Sequence, residues 1–203
     1  QLKDELCTAG VKVLLDSEVI GIDCNQGIIV TPKESCSYDL VINCTYENPF
    51  LGFEQIPADL KYELCVMHLV TAPSLKDHAI TIMDGGFVSV YPWISGVHSF
   101  SSVLHTPAFK VDSLDKLHQS YKSWTVADMA RSTRKIREHV EQYFDFEYVN
   151  IGSFYAKKIK LMRDIGDSRA VRTFQKGKCM AVLPGKLDAV TIFLEELKER
   201  LGL

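Results

Sequence analysis

Arg169 and Arg172 are the side chains whose type and spacing most directly suggest chemistry. A guanidinium group is planar and always charged, and it can hold a carboxylate through two parallel hydrogen bonds. The pair could therefore clamp the carboxylate of a small substrate. Ion pairing with Asp164 or Asp167 explains the same residues equally well, because both acidic side chains lie only a few positions away.

His98 and His105 are candidate bases. An imidazole titrates near neutral pH, so either ring could take a proton from an amine or a hydroxyl group. Both residues lie in a segment with the apolar pattern of a strand, where a histidine is more often a polar filler than a base. We expect no metal site, because the six cysteines show no C-x-x-C spacing and several lie in apolar runs.

Cys44 and Thr45 are candidate cofactor-binding residues at the end of an apolar run. The segment Asp39–Thr45 reads D-L-V-I-N-C-T and predicts a buried strand. Small residues at its end would let the backbone approach a pyrophosphate or a ribose. An ordinary buried strand that ends in a polar residue would look the same.

A second candidate cofactor-binding segment is the turn that joins the predicted buried strand of residues 179–183 to the last helix, Ala189–Arg200. This turn consists of Pro184, Gly185, Lys186 and Leu187. Free N–H groups and the positive end of the helix dipole suit an electron-rich ligand, and glycine permits close approach. A routine strand-turn-helix with a solvated Lys186 is the alternative.

The elements that must position these residues belong to an α/β fold with two parts. A loop rich in proline and glycine follows Thr45 and separates a first group of short strands from an antiparallel meander with a long helical stretch. The first group of strand candidates comprises residues 11–15, 18–23, 28–31 and 38–44. The second comprises residues 62–71, 78–83, 86–91, 98–105 and 146–162, with helical periodicity over residues 116–144, broken near Val126. We predict one domain of residues 1–50, to which residues 163–203 return, and a second of residues 51–162.

Composition narrows the function classes. The formal net charge is -3 and the basic residues are spread along the chain, so a nucleic-acid partner is disfavoured. No apolar run reaches the roughly 20 residues that span a bilayer, and the first residues lack a signal-peptide pattern. We expect a cytoplasmic protein that acts on a small molecule without a membrane partner. The oligomeric state is left open.

Three stretches occur in the order seen in D-amino-acid-oxidase-like flavoenzymes, which the chain resembles. Residues 39–45 are similar to the strand that closes the nucleotide-binding sheet. Residues 84–93 and 98–107 are similar to a hairpin and strand of the substrate domain. The D-S-R run of residues 167–169 and the stretch of residues 182–190 are similar to the end of such proteins.

The resemblance implies FAD as cofactor and hydride transfer to the flavin from a small amine or hydroxy acid. It also implies that the aromatic hairpin covers the flavin ring and that the Gly185-Lys186 turn opens the last helix against the flavin. The fold would combine part of a doubly wound FAD-binding sheet with an antiparallel α+β substrate domain.

The chain departs from that family in one motif, because no G-x-G-x-x-G follows a predicted strand. We therefore expect the phosphate-binding segment upstream of Gln1, so that the chain is the C-terminal portion of the enzyme and inactive alone. Two alternatives stay open. One is a non-catalytic module that binds a small ligand or another protein, and the other is part of a nicotinamide-dependent dehydrogenase.

Overall fold

The computed structural model describes residues 2–83, 85–94, 96–162, 171–183 and 189–202. The chain is a mixed α/β protein that divides into two compact units, Gln1–Pro57 with Ser168–Leu203, and Ala58–Asp167. The helices are α1 (Leu2–Thr8), α2 (Leu114–Lys122), α3 (Val126–Val140) and α4 (Ala189–Leu201). The strands are β1 (Gly21–Asp23), β2 (Ile28–Val30), β3 (Ser35–Ser37), β4 (Val41–Asn43), β5 (Leu60–Thr71), β6 (Ile80–Ile82), β7 (Val88–Ile94), β8 (Val97–Ser102), β9 (Pro107–Val111), β10 (Val149–Leu161), β11 (Arg172–Lys176) and β12 (Cys179–Leu183).

The first unit contains two small sheets. Strands β1, β2 and β3 form an antiparallel meander, and the other sheet has the order β11-β12-β4. In that sheet β12 is antiparallel to β11 and parallel to β4. All five residues of β12 are buried, as its sequence C-M-A-V-L requires of a strand inside a sheet.

The second unit is built around β5, the central strand of an antiparallel sheet with the order β10-β5-β8-β7-β6. The first half of β5 pairs with β9 instead of β8, on the same side. Helix α3 packs on this sheet and begins at a capping box, in which Thr125 and Asp128 exchange side-chain and backbone hydrogen bonds. The core beneath it is apolar and includes Val66, Val70, Val90, Phe100, Ile136 and Val140.

The structure differs from the sequence-based expectation at several places. Residues 11–15 form no strand, and Val11, Leu14 and Leu15 are exposed. A strand needs a partner for its backbone groups, and the described residues supply none for this segment. The segment expected to be a loop after Pro32 contains β3, and the end of the predicted strand over residues 98–105 turns and continues as β9.

The long helical stretch ends and restarts close to the expected break. Helix α2 ends at Lys122 and α3 begins at Val126. Ser113 and Thr125 cap the two N-termini through their side chains, which satisfies otherwise free backbone N–H groups. Among the described residues, no helix has the length and apolar character needed to cross a membrane.

Candidate functional site

The carboxyl ends of β4 and β12 lie at one edge of the sheet in the first unit. The two strands are parallel, and Asn43 lies beside Ala181. Cys44 and Thr45 follow β4 directly and therefore lie at this edge. Ligands of open α/β sheets characteristically bind outside the carboxyl ends of the strands.

Arg172 belongs to the same edge. It is the first residue of β11 and pairs with Leu183, the last residue of β12, because the two strands are antiparallel. The structure thus brings Arg172 to the edge that carries Cys44 and Thr45, although more than 120 positions of sequence separate them. We call these three residues, with Asn43, the carboxyl edge.

Asn43 fixes the turn after β4. Its side chain is 6% exposed, and its Nδ2 donates to the carbonyl oxygen of Asn48 at 3.0 Å. Its Oδ1 accepts from the backbone N–H of Thr45 at 3.0 Å and lies 2.6 Å from the Thr45 hydroxyl. That hydroxyl also lies 2.9 Å from the Asn48 carbonyl oxygen, so its one hydrogen is shared between two acceptors. The backbone at the end of β4 is therefore held in one conformation.

Cys44 is an exposed, free cysteine. Partial burial of the thiol raises its pKa above the ordinary value. The neutral thiol is therefore favoured at neutral pH, and the residue serves as a small uncharged side chain rather than as a nucleophile.

An aromatic surface covers part of one face of the sheet in the second unit. Side chains alternate along a strand, so the residues of β5 that point away from α3 include Met67. Phe154 pairs with Met67, and its ring lies 4.4 Å from that of Trp93 at 36°. Tyr91 on β7 lies on the same face, and Tyr91 and Trp93 are 49% and 47% exposed. We call Met67, Tyr91, Trp93 and Phe154 the aromatic face.

His98 lies inside the second unit. It is 1% exposed on β8, between Pro92 of β7 and Val70 of β5, and shares the helix-facing side of the sheet with Phe100. Neither ring nitrogen has a hydrogen-bond partner among the described residues. Solvent does not reach this ring in the structure. Because His98 points to the same side as Phe100, which packs against α3, it lies on the opposite side of the sheet from the aromatic face.

His105 follows β8 and is partly accessible. Its ring lies 5.6 Å from that of His139 on α3. Burial, and then the neighbouring His139 and Lys135, lower the pKa of His105, while Glu138 opposes them. The imidazole is therefore neutral at neutral pH, which is the form a base requires.

Ser102 and His139 were missed by sequence reasoning. The Ser102 hydroxyl lies 2.8 Å from Nδ1 of His139 and accepts the backbone N–H of His105 at 3.2 Å. Both residues are buried. The available signal was the position of His139 three residues after Ile136 on the buried stripe of α3, where a polar residue needs a partner.

Five sequence-predicted site residues lie outside the described part of the chain, namely Arg169, Pro184, Gly185, Lys186 and Leu187. In the sequence, the last four follow Leu183 directly, and Arg169 precedes Arg172 by three positions. Their assigned roles stay predictions.

The chain is similar to two FAD-dependent enzymes. No family model matches the chain. The FAD-dependent monooxygenase FPY4 of Fusarium mangiferae is 24% identical over 174 residues, which cover 83% of this chain and 44% of that protein. The FAD-dependent oxidoreductase PA4991 from Pseudomonas aeruginosa has the same fold over 99% of this chain and 56% of its own, with a TM-score of 0.58 and 14% identity. The chain therefore spans about half the length of either protein.

Proposed function

We propose that the chain is the substrate-domain portion of an FAD-dependent oxidoreductase of the D-amino-acid-oxidase-like type. The observation that carries the proposal is the parallel pairing of β4 with β12, which brings Cys44, Thr45 and Arg172 to one edge. That pairing lies in a fold shared with an FAD-dependent oxidoreductase over nearly the whole chain.

The carboxyl edge would contact one side of a flavin cofactor. Asn43 and Thr45 hold the backbone after β4 in place, and Cys44 and Thr45 are small enough for a ligand to approach that backbone. Residues 184–187 follow β12 in the sequence and would add the Gly185-Lys186 turn to the same contact. Bound FAD would supply the electron acceptor for oxidation of the substrate.

The proposed substrate is a small amine or hydroxy acid, from which a hydride leaves a C–H bond next to the nitrogen or oxygen. Arg172, with Arg169, would hold its carboxylate through parallel hydrogen bonds. Of the two candidate bases in the second unit, His105 is partly accessible and has a lowered pKa, whereas His98 is 1% exposed.

The proposal needs a phosphate-binding segment outside these 203 residues. The chain spans 44% and 56% of the two relatives, and its sequence contains no G-x-G-x-x-G. The turn with that pattern would hold the FAD pyrophosphate at a helix N-terminus.

Visible absorption spectroscopy tests the proposal. We expect a protein expressed with its upstream coding sequence to purify with a flavin band, and the 203-residue chain to bind added FAD weakly. Dye reduction with a panel of amino and hydroxy acids would then identify the substrate. An extended protein that is colourless and does not bind added FAD would contradict the proposal that the protein is a flavoenzyme. Tight, stoichiometric binding of FAD to the 203-residue chain would contradict the proposal that the phosphate-binding segment lies outside it.

A further inference from the structure

A cavity of about 380 Å³ lies between α2, α3 and β9 in the second unit. Its floor is aromatic, because the rings of Phe109 and Trp124 lie 5.2 Å apart at 58°. Ala108 and Val111 of β9 extend the apolar part. This volume is near the lower end of the volumes of known ligand sites, so the cavity suits a small molecule of one or two rings.

One stripe of α3 forms the polar wall of this cavity. Asp128, Arg131, Ser132 and Lys135 are spaced at i, i+3, i+4 and i+7, so they lie on one side of the helix. Arg131 donates to Asp128 at 3.1 Å and keeps 60% of its side chain exposed. Lys135 is exposed as well. With Asp128 offset by Arg131, the wall carries one net positive charge.

This cavity is separate from the aromatic face. Phe109 pairs with Leu64 of β5, whereas Phe154 pairs with Met67 of the same strand. Leu64 and Met67 are an odd number of residues apart, so their side chains point to opposite faces of the sheet. A ligand in the cavity would therefore lie on the helix side of the sheet.

We propose that the cavity binds a small aromatic carboxylate, with its ring against Phe109 and Trp124 and its carboxylate at Arg131 and Lys135. The aromatic floor favours a flat apolar body, and the two basic side chains favour an anion through charge-assisted hydrogen bonds. This site goes beyond the proposed oxidoreductase function and does not depend on it.

Tryptophan fluorescence tests the proposal with 4-nitrobenzoate, whose nitroaromatic ring quenches indole emission. The chain has two tryptophans, so a Trp93→Phe background leaves Trp124 as the one reporter. We expect saturable quenching by 4-nitrobenzoate and binding of the neutral 4-nitrobenzamide about tenfold weaker. Quenching without saturation, or equal affinity for acid and amide, would overturn the proposal.

Arg131 and Arg134 provide a matched pair of variants. Both side chains are 60% exposed and both form an ion pair within α3, but Arg134 contacts Glu138 and does not line the cavity. Arg131→Ala combined with Lys135→Ala should weaken 4-nitrobenzoate about tenfold or more, and Arg134→Ala should leave it unchanged. Equal weakening by both would overturn the proposal. Should circular dichroism show that the double variant is unfolded, Lys135→Gln alone serves, with weaker binding again expected.

Discussion

A β-carbon on Gly177 would lie 2.5 Å from the carbonyl oxygen of Cys24. The same carbonyl accepts the backbone N–H of Lys178 at 2.7 Å. Gly177 has φ +52°. The turn between β11 and β12 thus lies directly on the turn after β1, and the glycine is required both by its backbone conformation and by the close approach.

We expect Gly177→Ala to destabilise the protein more than Gly10→Ala. Both glycines have positive φ, which costs an alanine about 1 to 2 kcal/mol, but a β-carbon at Gly10 meets nothing within 4 Å. At Gly177 the clash with backbone adds about 1 to 3 kcal/mol. Urea denaturation of the two variants measures the difference. If both variants lose the same free energy of unfolding, the turn at Gly177 can move away from the turn after β1 without a cost in stability.

The turn after β4 supports a second prediction. Asn43→Ala removes the acceptor of the Thr45 N–H and the donor to the Asn48 carbonyl oxygen. Asn43 itself is buried. We expect the free energy of unfolding to fall by about 1 to 3 kcal/mol. Asn25→Ala, on an exposed turn, is the control and should change it by less than about 0.5 kcal/mol. If Asn43→Ala leaves the free energy of unfolding unchanged, the hydrogen bonds of Asn43 do not hold this turn.

The fold class could be predicted because most elements carry local signals. The run Cys179–Leu183 is apolar throughout, and the structure confirms it as a strand. The sequence predicts a break near Val126 in the long amphipathic stretch, and the structure begins α3 at that residue. The final helix, expected over Ala189–Arg200, forms over Ala189–Leu201.

Features that depend on distant partners could not be predicted. Residues 11–15 have the composition of a strand, but their pairing requires another strand, and the described residues offer none. The burial of His98 follows from its place between β5 and β7, which only the sheet order reveals. The Ser102–His139 hydrogen bond joins residues 37 positions apart, and no local pattern encodes it.

His68 predicts a pH dependence of stability. The ring is 4% exposed, and its nitrogens lie 3.0 Å from the Gly152 carbonyl oxygen and 2.7 Å from Oδ1 of Asn150. Burial lowers its pKa, and the hydrogen bonds to Asn150 and Gly152 oppose that effect in part. The unfolded chain therefore takes up the proton first as the pH falls below about 6.5, and stability decreases.

Replacing His68 by glutamine tests this reading. Urea unfolding between about pH 7.5 and about pH 5.5 should show a smaller loss of stability in His68→Gln than in the unchanged protein. His78→Gln, at an exposed position, is the matched control. If His68→Gln loses as much stability as the unchanged protein between these pH values, groups other than His68 cause the pH dependence.

The last prediction concerns Arg172 in the flavin-loaded enzyme. Arg172→Lys keeps the charge but loses the planar fork, so a residue that clamps a substrate carboxylate should show a raised KM. If the contact tightens in the transition state, kcat falls too, while the flavin spectrum stays intact. One lost charge-assisted contact corresponds to a change of about tenfold or more in kcat/KM.

Arg200→Lys is the control for this measurement. Arg200 on α4 donates to Glu196, Gln175 and Thr173, so its replacement should lower stability slightly and leave KM unchanged. Steady-state kinetics and thermal melts on both variants separate a substrate contact from a structural one. If Arg172 contacts the substrate, we expect a raised KM in Arg172→Lys but not in Arg200→Lys, with an unchanged melting temperature for Arg172→Lys. Unchanged kinetics in Arg172→Lys would remove Arg172 from the site and leave Arg169 as the remaining candidate for the carboxylate.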